Sequence, residues 1–196
     1  MIENTGMNTC QRLAVRLHEL GMITREKADE SVEYTADWGE PDPSQRTEEL
    51  TGVLEVCDVA LQAHGEDVDV AEDAYVGILG DAERMIGGAV TVTDVELVGE
   101  IGSSRDLEFK VNGEPKSWRI EQESDDYLDL GAVGAGISDL VPGGDDPRVF
   151  HCVPGDGGCA DDYYLLATPE QAAALRDEFD LPIEVRGTDG LPVHEQ

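Results

Sequence analysis

AVTVTDVELVGEIGSSRDLEFKVNGEPKSWRI, residues 89–120, is the stretch in which the chain changes its hydrophobic period. Before it, apolar residues recur every three or four positions; within it, they alternate. Val90 and Val92 share one parity, Val95 and Leu97 the other, so a bulge near Thr93-Asp94 is expected to reconcile them. Leu107, Phe109 and Val111 alternate, Asn112-Gly113-Glu114-Pro115 turns, and Trp118 and Ile120 alternate back. That pattern predicts a hairpin.

Upstream, the period is helical. Leu13, Leu17 and Leu20 form one stripe over residues 11–20, and Gly21 can end it. Thr24 is placed to cap a second helix over 25–38, with Val32 and Trp38 as its apolar contacts. Gly39-Glu40-Pro41-Asp42-Pro43 breaks the chain. Ser44 then opens a third helix whose stripe runs Leu50, Val53, Leu54, Cys57 and Leu61 and ends near His64-Gly65. A fourth helix is expected from about Glu72 to Ile86, with Tyr75, Leu79, Ala82 and Ile86 inward and Gly87-Gly88 as its stop.

Downstream, residues 125–140 read as a helix carrying three glycines, and 148–153 and 162–167 as two strands. Thr168-Pro169-Glu170-Gln171 is a helix start with a capping box, followed by Ala172, Leu175 and Phe179 on one face. The expected class is therefore α+β: an N-terminal helical subdomain (1–88), then an antiparallel sheet with one or two packed helices (89–186), and a flexible tail (187–196).

Charge bounds the partners. The chain has 44 Asp and Glu against 13 Lys and Arg, a net charge of −31 over 196 residues. Residues 1–98 hold 22 acidic and 6 basic side chains, and residues 99–196 hold 22 and 7, so the excess is no detachable tail. Such a field repels nucleic-acid phosphate and anionic lipid and attracts basic surfaces. No apolar run approaches the ~18 residues that span a bilayer, and Met1–Cys10 has no signal-peptide pattern, so the cytoplasm is the expected compartment.

Sites of chemistry are not expected. His151, Cys152 and Cys159 lie close in sequence but lack the two paired ligand sets of a zinc site. Asp67-Val68-Asp69 opens like a calcium loop, yet Glu72 stands at its glycine position and Ile78 at its closing glutamate. There is no nucleophile elbow, and Gly131-Ala132-Val133-Gly134-Ala135-Gly136 has no phosphate-binding lysine. His64 reads as a helix-end residue. No catalytic residue, metal or cofactor is assigned. Were the chain an enzyme without a local motif, His151, Cys152, Asp161 and Asp162 would be the constellation to find in one pocket.

What remains is the acidic surface. Residues 121–129 (EQESDDYLD) and 156–164 mix carboxylates with tyrosines, which suits pairing with Arg or Lys while the rings supply contact area. The partner-binding candidates are Asp125, Asp126, Tyr127, Asp129, Asp161, Asp162 and Tyr163.

The strand, hairpin and acidic style of residues 89–130 (AVTVTDVEL, LEFKVNGEPKSW, SDDYLDL) and of YYLLATPEQAAALRDEFDL resembles small acidic actinobacterial proteins of the immunity type, from polymorphic toxin systems. The resemblance implies a cytosolic inhibitor that occludes the active site of a basic toxin, a nuclease or a nucleic-acid deaminase. A rival expectation needs no partner. Evenly spread acidity with 3 Lys against 10 Arg also fits a salt-adapted protein whose charge serves solubility.

Overall fold

A computed structural model describes residues 6–66, 69–100, 103–121, 124, 126–155, 161–189 and 191. Helix α1 (Thr9–Glu19) starts at a reciprocal capping box, with Asn8 accepting from the Gln11 amide and the Gln11 side chain accepting from the Asn8 amide. Such a cap is worth about 1 kcal/mol. Thr24 caps α2 (Arg25–Tyr34) as expected, but that helix stops short of Trp38. Trp38 instead lies 37% exposed, edge-on to Tyr34 at 5.5 Å.

The third helix differs most from expectation. α3 covers Arg46–Val56 only, and Ser44 does not cap it; the Asp42 carboxylate accepts from both the Ser44 amide and hydroxyl. Asp58 takes a left-handed conformation (φ 55°) and turns the chain into a strand, β1 (Ala60–His64). Leu50, Val53, Leu54 and Cys57 are buried as the stripe predicts, while Leu61 reaches the core from β1. The apolar spacing ran on past the turn, and an aspartate in place of glycine hid it.

α4 (Ala71–Ile86) buries Tyr75, Leu79, Ala82 and Ile86 and ends at left-handed Gly87. β2 (Val92–Val98), β3 (Ser104–Val111) and β4 (Glu114–Glu121) follow. The expected bulge is present: register shifts between Thr93 and Glu96, with Asp94 at φ 56°. The β3–β4 hairpin turns on Asn112 and Gly113, both at positive φ, the pair that a tight two-residue turn demands. α5 (Leu130–Gly136) and a 3-10 turn (Ile137–Leu140) form the shorter helical segment within 125–140. β5 (Val149–Pro154), β6 (Asp161–Ala167) and α6 (Pro169–Phe179, with Thr168 and Gln171 in their capping box) complete the chain.

The class is α+β, with the strands in two three-stranded antiparallel sheets, β1-β6-β5 and β2-β3-β4. The first sheet is covered on both faces. One face (Ala60, Val153, Leu165, Ala167) packs on α1, α3 and α6; the other (Leu61, Ala63, Phe150, Cys152, Tyr164, Leu166) meets α4, α5 and the buried side of the second sheet. Burial on both faces explains why VFHCV and YYLLA are almost unbroken apolar runs. Each core draws on residues from both sides of Gly87-Gly88, because β1 carries the N-terminal half into a sheet with β6.

Gly136 has a packing role. A β-carbon there would stand 2.2 Å from Cε2 of Trp118, whose ring lies edge-on to Phe109 and donates from Nε1 to Asp139 Oδ2 at 3.1 Å. The glycines of this segment read as looseness in the sequence; at position 136 the glycine is what lets helix and indole meet.

Candidate functional site

β1 and β6 end together at the rung His64–Asp161. The Leu166 amide donates to the Val59 carbonyl, which fixes the ladder's phase. Pairs 61–164 and 63–162 then exchange backbone hydrogen bonds, whereas 62–163 and 64–161 do not. Side chains of non-bonded antiparallel pairs approach most closely. His64 Nδ1 accordingly meets Asp161 Oδ1, and Gln62 Nε2 donates to Asp161 Oδ2 at 2.9 Å and to the Tyr163 hydroxyl at 3.3 Å. His64 thus belongs to a strand and holds a carboxylate; it is not the helix-end residue its spacing suggested.

α3 lays Glu55 against this rung. Glu55 is half-buried, and no hydrogen bond or ion pair joins its carboxylate to any described residue. Burial raises its pKa, and the like charges of Asp161 and Asp81 raise it further. Tyr163 titrates high for the same reasons: burial first, then Glu55, Asp161 and Glu48. The group is short of positive charge. A guanidinium or ammonium inserted here would gain two carboxylates and relieve their repulsion.

The second acidic stretch comes to the same corner. The Leu128 amide donates to the carbonyl of Gly65, the residue after His64, at 3.0 Å. Asp126 and Tyr127 are exposed beside it. The remaining candidates separate. Asp129 is already engaged: its carboxylate accepts from Ala132 N at 2.9 Å as the α5 cap and from Glu121 N at 2.8 Å. Tyr163 is only 6% exposed, and its ring belongs to the core under α3, so it offers no surface to a partner. Asp162 follows the alternation to the opposite face of the sheet, where burial raises its pKa. Asp125 lies outside the described residues, as do Cys159 and most of the 156–164 stretch before Asp161. Sequence missed Glu55, Gln62 and His64 because the helix was expected to continue through residue 64.

The constellation suggested for an enzyme does not assemble. His151 and Cys152 are successive strand residues and face opposite cores. His151 is fully buried; its Nε2 donates to Ala167 O at 3.1 Å and its Nδ1 accepts from Arg186 N at 3.0 Å. Burial holds its pKa down to about 4, so it is neutral at pH 7. Burial also pushes the Cys152 thiol up to about 12. No group of three or more His, Cys, Asp and Glu side chains among the described residues has metal-site geometry. No helix among them is long and apolar enough to cross a membrane.

Compared with protein-family models, curated proteins and solved structures, the chain matches none.

Proposed function

We propose that this chain is a binding protein for a basic protein partner, acting as an inhibitor of immunity type that occludes the active site of a basic toxin. The observation that carries the reading is Glu55: a half-buried carboxylate with no partner among the described residues, set beside Asp161 and raised in pKa by that burial and charge. Burying a carboxylate without a cation costs stability, and a partner's arginine or lysine would offset that cost on binding. Around it, His64, Asp126 and Tyr127 supply an exposed rim with one large ring. Toxins acting on nucleic acid carry basic channels, and −31 of charge accelerates encounter with them. Occlusion requires no reaction from this chain.

The test is affinity capture at low and at high ionic strength, with the wild type and a Glu55→Gln/Asp161→Asn variant as paired baits. The reading expects a basic protein held by the wild type at low salt, released at high salt, and held at least tenfold less by the variant. Equal retention by both baits removes the site. The evenness of the charge supports a second reading, salt adaptation. It predicts unfolding in low salt and stabilisation by molar KCl, with no basic partner captured.

A further inference from the structure

The four edges of the two sheets are not alike. The outer edge of β5 is closed by a bridge from Glu184, whose amide donates to Cys152 O at 2.8 Å. β2 is bent by its bulge at Asp94. β4 carries Pro115 near its start, and its last amide, Glu121, donates to the Asp129 side chain. Such devices keep an edge from accepting another strand. β1 is five residues long and carries none of them. Its inner neighbour β6 takes the backbone groups of Leu61 and Ala63, so Gln62 and His64 turn their amides and carbonyls outward. No backbone or side-chain group among the described residues bonds to them.

The surroundings of this edge carry one sign. α3 covers one face of β1 and α4 the other, and Glu55 and Asp81 project from these two helices, with Asp81 close enough for its charge to act on the Glu55 carboxyl. Among the described residues, Asp81 has one ion pair, a surface contact to Arg84 one turn along its own helix, at 2.8 Å. A segment added to β1 would send alternate side chains toward α3 and toward α4, and so toward a carboxylate on each side. A second copy of this chain would instead bring Glu55 and Asp81 of two molecules together, against like charge.

We propose that the open edge of β1 receives an extended basic segment of the partner by strand addition. Gln62 and His64 supply up to four backbone hydrogen bonds, and Glu55 and Asp81 select lysine or arginine at successive positions, one on each face of the added strand. This rests on the basic-partner reading and adds how the partner is held. Ala60 faces outward by the same phase but is buried, so with Gln62 and His64 as the two less buried outward residues, backbone pairing sets register while the carboxylates supply most of the affinity.

The probe is a capped Val-Arg-Arg-Arg-Val peptide, whose successive arginines reach both faces of the strand, compared with the same peptide N-methylated at alternate amides, at low ionic strength. Strand addition predicts that the parent binds, that N-methylation weakens it at least tenfold, and that the Gln62 and His64 amides exchange with deuterium more slowly in its presence. Gln62→Pro, which removes an outward amide and leaves the β6 ladder intact, should weaken the parent by a similar factor. Equal binding of the two peptides, with no slowing at Gln62 or His64, overturns strand addition while leaving the basic-partner reading intact. No binding of either peptide overturns it as well, and affinity capture then judges the wider reading separately. A concentration-dependent dimer abolished by Gln62→Pro would give the edge to a second copy and also overturn the proposal.

Discussion

Lowering the pH through the range in which free histidine titrates should cost this protein stability at one identifiable residue, His151. It is fully buried, donates to Ala167 O and accepts from Arg186 N, and burial holds its pKa near 4 against an ordinary value of 6.5. A proton on Nδ1 would remove the acceptor that holds the Arg186 amide and place a charge in the core. The folded state therefore binds this proton less readily than the unfolded state. The stabilisation is complete above pH 6.5 and is lost as pH falls toward 4, levelling off below. A displacement of about 2.5 units is worth about 3 kcal/mol. Glu55 and Asp162 work in the opposite sense, since their raised pKa values restore stability as they protonate. The measurement is therefore a difference: urea unfolding of wild type and of His151→Asn from pH 7.5 to 4. The asparagine keeps an acceptor near Arg186 N but leaves Ala167 O unpaired, so the variant should be about 1–3 kcal/mol less stable at pH 7. That deficit should shrink by about 3 kcal/mol on acidification, vanishing or reversing near pH 4. A deficit that stays constant with pH, or a His151 ring that titrates near 6.5 by NMR, would mean that the buried ring is not held neutral.

Gly136→Ala should destabilise the protein by about 1–3 kcal/mol and change the near-ultraviolet signal of Trp118, because its β-carbon overlaps the indole; an unchanged melting temperature would show that the ring moves freely. Asp129→Ala should cost about 1–2 kcal/mol through the lost α5 cap and leave partner capture unchanged, as read by melting and by retention on the same bait. Cys10 and Cys152, with thiols raised by burial to about 11 and about 12, should resist iodoacetamide in the folded protein at pH 8 and react once it is unfolded; mass spectrometry of native alkylation decides.

How far the sequence could be read depended on whether a local pattern was sufficient. The bulge at Asp94, the Asn112-Gly113 hairpin and the Thr168 capping box are each specified by a few neighbouring residues, and each is present in the structure. β1 is not specified in that way. Its five residues continue the apolar spacing of α3, and its identity as a strand comes from β6, about 100 positions later in the chain. The site was hidden for the same reason. Asp161 could be singled out as an acidic residue, but Glu55, Gln62 and His64 become its neighbours only when β1 pairs with β6. Asp129 and Tyr163 were attractive as an acid and an aromatic on an acidic stretch, yet one is used to cap a helix and the other fills the core.

Mapping where positive charge settles on the protein tests the basic-partner site directly. Backbone amide shifts of the protein would be followed by NMR as a hexa-arginine peptide is added at low ionic strength. The largest shifts should cluster at Glu55, Gln62, His64, Asp161 and Asp126, and Glu55→Gln with Asp161→Asn should weaken binding at least tenfold. Small shifts spread evenly over the acidic surface, indifferent to those two substitutions, would contradict a basic-partner site and leave the charge a matter of solubility.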